Sequence, residues 1–237
     1  MNDPAGGKGF VSEDTVIADE REVLYRKRDF WAGESYKFAE PHFRMRKVAR
    51  EVHRATRGRE CDLLDVGCGP ATLARLMPPG VHYHGIDLAI PEPASNLMEM
   101  DIIEEPITFH GKKFDVVVAQ GMFEYVGDFQ SQKFAEIAGL LNDGGNFIVT
   151  YQNFAHRKAE IYWAYNNVQR PDDFRKDLSR FFKIERSFPV SHNWNFGVPR
   201  RSLIKAPQAY ISLNIPVISP ILAVDYLYIC SLYRLRS

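Results

Sequence analysis

A glycine-rich turn directly after a short apolar run is the feature that most limits how this chain can fold. The run Cys61-Asp62-Leu63-Leu64-Asp65-Val66 leads into Gly67-Cys68-Gly69-Pro70-Ala71. A short apolar run of this kind is typical of a buried parallel strand. Glycines are needed where the chain leaves such a strand sharply and a ligand approaches the backbone. The pattern indicates a nucleotide-type loop, with a tight turn that binds no ligand as the alternative.

Strands and helices alternate after this loop. The hydrophobic pattern predicts strands at residues 81–87, 97–100, 114–119, 145–151 and 183–188, and helices at 71–77, 132–141, 156–168 and 171–181. Such alternation implies right-handed crossovers. The predicted fold class is therefore α/β, with a Rossmann-like, doubly wound and mostly parallel sheet.

The hydrophobic pattern changes along the chain and divides it into three regions. Residues 1–57 are predicted to form an N-terminal tail and a helical cap, with amphipathic helices broken at Gly33 and Pro41. Residues 58–190 are the α/β domain, and residues 191–237 form an apolar C-terminal extension. A length of 237 residues favours one such decorated domain over two equal domains.

The charge and the cysteine content limit which partners the protein is expected to bind and in which cellular compartment it is expected to work. Thirty basic residues balance thirty acidic ones, so no global field attracts a polyanion and no nucleic-acid partner is expected. Three cysteines without a CxxC pair argue against a disulfide framework or a zinc site. The polar N-terminus has no apolar stretch of signal-peptide length. We therefore expect a cytoplasmic protein without a metal site.

Polar residues follow the predicted strands where ligands of open α/β sheets bind. Asp87 ends the second strand, 18 positions after Gly69, where a carboxylate can accept hydrogen bonds from both hydroxyls of a ribose. Asp101 follows the third strand, and Gln120 and Gly121 end the fourth. A turn or helix N-cap aspartate is the alternative interpretation of Asp87. Because the carboxyl ends of parallel strands share one edge, these residues are expected to lie together.

Taken in order, five segments resemble the successive motifs of class I S-adenosyl-L-methionine-dependent methyltransferases. They are Leu63 to Met77, His84 to Asp87, Met100 to Pro106, Phe114 to Asp128 and Leu140 to Tyr151. The resemblance covers roughly residues 60–151 and implies S-adenosylmethionine as the cofactor. A nicotinamide-binding domain lacks this continuation, and the absence of a Gly-x-Gly-x-x-Gly pattern disfavours an NAD-dependent oxidoreductase.

The resemblance also assigns cofactor-binding positions. It implies that Gly67, Cys68 and Gly69 pass beneath the methionine portion, and that Gln120 lies near the methionine end. Asp65 is expected near the amino group of the cofactor, although bracing of the loop is equally compatible with its position.

The ribose and the adenine are assigned in the same way. The resemblance places Asp87, with the adjacent Leu88, at the ribose, and Asp101 and Ile102 at the adenine. The chain departs from the family pattern at Ala71, where many relatives have a third glycine, and at Tyr125, where many have histidine.

Methyl transfer requires alignment of nucleophile and methyl group, and a proton acceptor when the nucleophile is a hydroxyl. His156 and His192 are the candidate proton acceptors because the ordinary pKa of histidine lies near neutral pH. A surface or structural histidine is the alternative for each. Tyr151 and Glu124 are weaker candidates, with a core tyrosine and a helix N-terminal glutamate as the simpler interpretations.

The acceptor is limited mainly by the motifs that are missing. The fourth strand lacks the Asp/Asn-Pro-Pro-Tyr run of adenine-modifying relatives and the Pro-Cys of cytosine-modifying ones. The chain is therefore expected to methylate an oxygen or nitrogen of a small-molecule or lipid-linked acceptor. Thr150 to His156 resembles the MetW-like group, so a non-catalytic or partner-dependent module is the alternative.

The C-terminal segment from Ala209 to Tyr233 is very apolar but contains Pro216, Pro220 and Asp225. Prolines and a carboxylate argue against one continuous spanning helix. Flanking basic residues make peripheral contact with a bilayer, or an acyl-chain channel, one interpretation. An ordinary strand pair and helix packed on the domain, or a homodimer interface, is the other.

Overall fold

The computed structural model describes residues 28–154, 168–193 and 210–233. Within these residues, seven strands form one sheet: β1 (Cys61–Val66), β2 (Val81–Asp87), β3 (Leu97–Glu99), β4 (Phe114–Gln120), β5 (Leu141–Gln152), β6 (Phe182–Pro189) and β7 (Asp225–Leu232). The α-helices are α1 (Arg28–Glu34), α2 (Phe43–Thr56), α3 (Gln130–Leu140), α4 (Pro171–Leu178) and α5 (Ser219–Leu222). Short 3-10 helices span Ser35–Phe38, Thr72–Leu76 and Gly127–Phe129.

The strand order across the sheet is β3-β2-β1-β4-β5-β7-β6. Strands β1 to β5 pair in parallel, and β7 is antiparallel to both of its neighbours, β5 and β6. This arrangement confirms the predicted mostly parallel, doubly wound sheet. It also brings the carboxyl ends of β1, β2 and β4 to one edge, where the glycine-rich loop begins.

Helices cover both faces of the sheet. On one face α2 buries Val48 and Val52 against side chains of β1, β4 and β5. On the other face Phe134 of α3 and Phe174 of α4 lie in a second apolar cluster. Because both faces of the central strands are buried, β1 and β4 consist of nearly continuous apolar runs rather than alternating patterns.

Three local elements differ most from the sequence-based expectation. The predicted helix 71–77 is a short 3-10 helix, Thr72–Leu76, that begins after Ala71 in a left-handed conformation and ends before Pro78. The left-handed residue and the two prolines leave room for little more than one turn. Strand β5 begins at Leu141 rather than at residue 145, and α4 ends at Leu178.

The predicted C-terminal extension contributes a strand to the sheet. Strand β7 lies between β5 and β6, and Leu227, Tyr228 and Cys230 are fully buried. Residues 225–232 are thus part of the α/β domain and not an addition to it. The predicted helix 156–168 lies outside the described residues except for residue 168, as does much of the tail. No helix among the described residues is long and apolar enough to cross a bilayer.

Candidate active site

A cavity lies at the carboxyl edge of the parallel strands, beneath the N-terminal helical cap. The cofactor-binding residues that the sequence predicts all line it: Asp65, Gly67, Cys68, Gly69, Asp87, Leu88, Asp101, Ile102 and Gln120. The cap adds Trp31, Phe38, His42 and Arg44. The predicted cofactor-binding residues, which are up to 55 positions apart in the sequence, therefore meet around one cavity. They do so because the strands that carry them end at the same edge of the sheet.

The glycine-rich loop passes close to its neighbours. Gly67 has a φ of 77°, and a Cβ added there would lie 3.3 Å from the side chain of Met122. The backbone N–H groups of Gly67 and Cys68 both donate to the carbonyl oxygen of Ile86, at 2.9 and 3.1 Å. Burial raises the pKa of the Cys68 thiol, so this residue remains neutral. The loop is therefore fixed against β2 by backbone hydrogen bonds.

Asp87 connects the loop to the end of β2. Its Oδ2 accepts a hydrogen bond from Gly69 N at 2.7 Å, and its Oδ1 accepts one from Ala89 N at 3.2 Å. Burial raises the pKa of the Asp87 carboxyl, which these backbone donors partly offset. The side chain thus braces the loop and lines the cavity at the same time.

Two acceptor atoms on residues that line the cavity lack donors among the described residues. Asp65 is buried, and its Oδ2 accepts a hydrogen bond from the Tyr83 hydroxyl at 2.7 Å. Its Oδ1 and the Oε1 of Gln120 are buried without a partner among the described residues. Burial, followed by the nearby charge of Asp87, raises the pKa of Asp65 to about 7. Buried acceptors of this kind are costly unless a ligand supplies donors.

Arg44, which the sequence analysis missed, extends from α2 to the same place. Its guanidinium lies over Gly121, where an added Cβ would be 2.9 Å from Nη2. Its Nη1 is 3.6 Å from Asp225 Oδ2, and its buried Nε has no hydrogen-bond partner among the described residues. In the sequence, Arg44 cannot be distinguished from the other basic residues of this helix, which lie on the surface. The helical period does place it one turn before the buried Val48.

His42 was also missed. It is the N-cap of α2, where its Nδ1 accepts a hydrogen bond from Met45 N at 3.3 Å. Burial, followed by the charge of Arg44, lowers the pKa of His42 to about 4. A neutral imidazole whose Nδ1 accepts a hydrogen bond carries its proton on Nε2. Histidine is not a favoured capping residue, so nothing in the sequence indicated this position.

The predicted proton acceptor His192 does not join this group. His192 is fully buried, and its Nε2 lies 2.8 Å from the hydroxyl of Ser219, which also accepts from Ile215 N. It is not among the residues that line the cavity, and burial lowers its pKa. These contacts correspond to the structural alternative, because they connect the segment after β6 to the start of α5. His156 lies outside the described residues.

The weaker candidates, Tyr151 and Glu124, are buried beside the cavity and do not line it. Glu124 Oε1 accepts a hydrogen bond from Gln152 N at 2.9 Å, and burial raises its pKa to about 7. Tyr151 stacks on Phe174 with ring centroids 3.9 Å apart. Both therefore pack within the domain.

A second depression adjoins the cavity and shares Phe38, His42 and Arg44 with it. Its other lining residues are Phe43, Val190, Ser191, Tyr210 and Asp225. The two spaces therefore adjoin at these three residues. A molecule in the second depression would lie next to the cavity at His42 and Arg44.

Comparison with known families agrees with this geometry. A family profile described as "Methyltransferase domain" matches residues 41–186, which include the glycine-rich loop and strands β1 to β5. The chain belongs to the methyltransferase domain family. A comparison with curated proteins finds no match.

Solved structures share the fold at low sequence identity. An S-adenosylmethionine-dependent methyltransferase from Clostridium acetobutylicum is 14% identical, with a TM-score of 0.58 over 82% of this chain and 93% of that one. The N-methyltransferase NodS from Bradyrhizobium japonicum, in complex with S-adenosyl-l-homocysteine, is 13% identical, with a TM-score of 0.51 over 80% and 87%. A methyltransferase from Haloferax volcanii, in complex with the Trm112 methyltransferase activator, is 14% identical, with a TM-score of 0.60 over 88% and 97%.

The fold is therefore that of the class I methyltransferases, and the chain is an S-adenosylmethionine-dependent methyltransferase domain. The strand order with an antiparallel β7 belongs to this fold. The expectation drawn from the motif order is confirmed at the level of family, fold and cofactor.

Proposed function

We propose that this chain transfers a methyl group from S-adenosylmethionine to an oxygen or nitrogen atom of a small-molecule or lipid-linked acceptor. The observation that carries the proposal is the single cavity lined by every predicted cofactor-binding residue, with the adjoining second depression on its methionine side. The predicted roles of Asp87 and Leu88 at the ribose, and of Asp101 and Ile102 at the adenine, are part of this proposal.

The unpaired polar atoms support a binding site for the methionine portion. Asp65 Oδ1 and Gln120 Oε1 are buried acceptors without donors, which fit an ammonium group. Arg44 Nε is a buried donor without a partner among the described residues, and it fits a carboxylate. An α-amino acid end carries both groups. When bound, the cofactor supplies an electrophilic methyl group on a sulfonium centre.

The residues that line both the cavity and the second depression suit the positioning of an acceptor. Phe38 lies at the junction, so its ring can exclude water from the line between nucleophile and methyl group. His42 is neutral at pH 7 and holds its proton on Nε2, so it can donate a hydrogen bond to the acceptor but not take its proton. Asp225 is the carboxylate that lines the second depression and fits a cationic amine or a released proton.

Asp87→Asn tests the cofactor site. The variant keeps an acceptor for Gly69 N but loses the charge, so S-adenosylhomocysteine affinity should fall by about 1–3 kcal/mol in isothermal titration. Asp143→Asn, an exposed carboxylate at the opposite end of the sheet, is the matched control and should bind as the parent does.

Titration of the parent protein with S-adenosylmethionine, S-adenosylhomocysteine and NAD decides the proposal itself. Binding of the two sulfur compounds alone is the expected result. Binding of NAD, or binding of neither sulfur compound, would overturn it. Equal affinity of Asp87→Asn and the parent would remove Asp87 from the ribose site.

A second candidate is a module that needs a partner for activity. The similar fold of the Haloferax methyltransferase, solved together with an activator, is the observation that favours it. Such a module binds cofactor weakly on its own. Weak or absent binding of S-adenosylhomocysteine by the isolated chain, restored by a co-purifying protein, would support this candidate.

A further inference from the structure

The exposed side of α2 carries positive charge that the described part of the chain does not neutralise. Arg46 and Arg50 are exposed and form no ion pair with any described residue. The only acidic residue of the helix, Glu51, is buried and pairs with Arg54 and with Arg186 of β6. Because the whole chain has no net charge, this row is a local concentration of positive charge.

An exposed segment with apolar side chains, residues 210–217, lies beside this row of arginines. We call it the apolar segment. The ring of Tyr210 packs on Phe43 with centroids 3.9 Å apart, and Lys47 donates a hydrogen bond to the hydroxyl of Ser212. These two contacts place the start of the segment along α2. Further on, Leu213 and Val217 are 71% and 77% exposed. Val217 has a φ of 67°, which a β-branched residue rarely adopts.

The second depression is lined by residues of both parts. They are Phe43 of α2 and Tyr210 of the apolar segment, and His42 and Arg44 line it as well. The charged row, the start of the apolar segment and the depression thus lie together. We name the exposed residues Arg46, Arg50, Tyr210, Leu213 and Val217 the basic–apolar face.

We propose that the basic–apolar face docks on the headgroup layer of a bilayer that contains anionic lipids. Arginine side chains gain favourable contacts with anionic headgroups, and exposed aliphatic side chains gain by leaving water at the interface. A nucleic acid would use the arginines but would leave Leu213 and Val217 in water. Only one step rests on the proposed function, namely that a lipid-linked acceptor enters the second depression from the bilayer.

Vesicle co-sedimentation of the full chain tests the face. The protein should sediment with vesicles of phosphatidylcholine and phosphatidylserine, and not with vesicles of phosphatidylcholine alone. Added salt should weaken the binding, because the arginine contribution is electrostatic. Arg46→Gln/Arg50→Gln should lower the partition coefficient about 30-fold, the effect of removing two charges near an anionic surface. Leu213→Ser/Val217→Ser should lower it as well.

Arg175→Gln/Lys176→Gln is the matched control for the charge change. It removes two exposed positive charges from α4, which packs on the opposite face of the sheet, and should bind vesicles as the parent does. Failure of the parent to sediment with anionic vesicles would overturn the proposal. Equal weakening by the control pair, or binding of single-stranded RNA that needs the arginines but not Leu213 and Val217, would also overturn it.

Titration with S-adenosylhomocysteine in the absence of vesicles separates this proposal from the proposed function. Variants of the basic–apolar face should keep the affinity of the parent, because none of the substituted residues lines the cofactor cavity. Loss of vesicle binding with intact cofactor binding is therefore the expected result for the variants. A parent that binds vesicles but no cofactor would refute the proposed function alone.

Discussion

At the scale of single residues, two buried carboxyl groups with similar pKa values have different surroundings. The pKa values of Asp65 and Glu124 are both raised to about 7, in each case mainly by burial. Asp65 lines the cofactor cavity and Glu124 does not. A ligand ammonium group next to Asp65 would favour its ionised form, whereas the charges near Glu124 are those of Arg44 and Asp225.

The affinity for S-adenosylhomocysteine should therefore rise between pH 5 and pH 8. At the lower pH Asp65 holds a proton that must leave when an ammonium group binds, and above a pKa of about 7 that cost disappears. Titrations in buffers of different ionisation enthalpy would measure the proton released. Asp65→Asn should abolish the rise, and Asp143→Asn, which changes an exposed carboxylate away from the cavity, should retain it. A flat profile for the parent protein would contradict the proposed role of Asp65.

The same shifts also predict how stability depends on pH. The unfolded state loses these protons near the ordinary carboxyl values, whereas the folded state keeps them up to about pH 7. The free energy of unfolding should therefore fall as pH rises from 4 to 7, because the folded state binds more protons in this range. Urea unfolding across that range would measure the slope. Each of Asp65→Asn and Glu124→Gln should reduce it, and an unchanged slope in both would contradict the shifts.

At the scale of elements, α2 serves the site, the core and the surface at once. Its N-terminal turn brings His42 and Arg44 to the cavity, and Val48 and Val52 pack on the sheet. The position of Arg44 depends on Gly121 at the end of β4, because the guanidinium occupies the space of a missing side chain. The helix and the loop after β4 are therefore coupled through one contact.

Gly121→Ala should weaken S-adenosylhomocysteine binding several-fold and lower the free energy of unfolding by about 1–2 kcal/mol. The added Cβ would lie 2.9 Å from Arg44 Nη2, and alanine is strained at a φ of 60°. Gly144→Ala is the matched control, since Gly144 has a φ of 78° but open space around its Cβ position. It should show the stability loss of the strained backbone, measured by urea unfolding, without the loss of affinity. Equal affinities for both variants would argue against a role for Arg44.

The cofactor loop could be predicted from the sequence because its signals are local. A buried strand, a glycine turn and an acidic residue after the next strand follow one another at fixed spacing. His42 and Arg44 line the same cavity from a helix that precedes the loop in the sequence. No local sequence motif indicates that they lie there. The predicted proton acceptor His192 had a suitable pKa by residue type, but its burial against Ser219 depends on contacts that only the folded chain brings together.

At the scale of the whole molecule, the last described strand completes the sheet. The sequence left a strand in residues 209–233 as one of two alternatives, because the partners of β7, β5 and β6, come earlier in the sequence and only the folded chain shows the pairing. Deleting the C-terminal region would remove this strand from between two others. A truncation at residue 209 would therefore not leave a folded protein in which membrane contact could be tested, and point substitutions in the basic–apolar face are needed instead.

Two leucine substitutions in this region should have different effects on the free energy of unfolding, because one leucine lies in β7 and the other on the surface. Leu227 is fully buried in β7, so Leu227→Ala should lower the free energy of unfolding by about 2–5 kcal/mol through lost burial and a cavity. Leu213 is 71% exposed, and Leu213→Ala should change it by no more than about 0.5 kcal/mol. Urea unfolding of the two variants beside the parent measures both values with the same chemical change. A small loss for Leu227→Ala would mean that β7 does not occupy the position between β5 and β6, and a large loss for Leu213→Ala would mean that the apolar segment packs in the core rather than facing a bilayer.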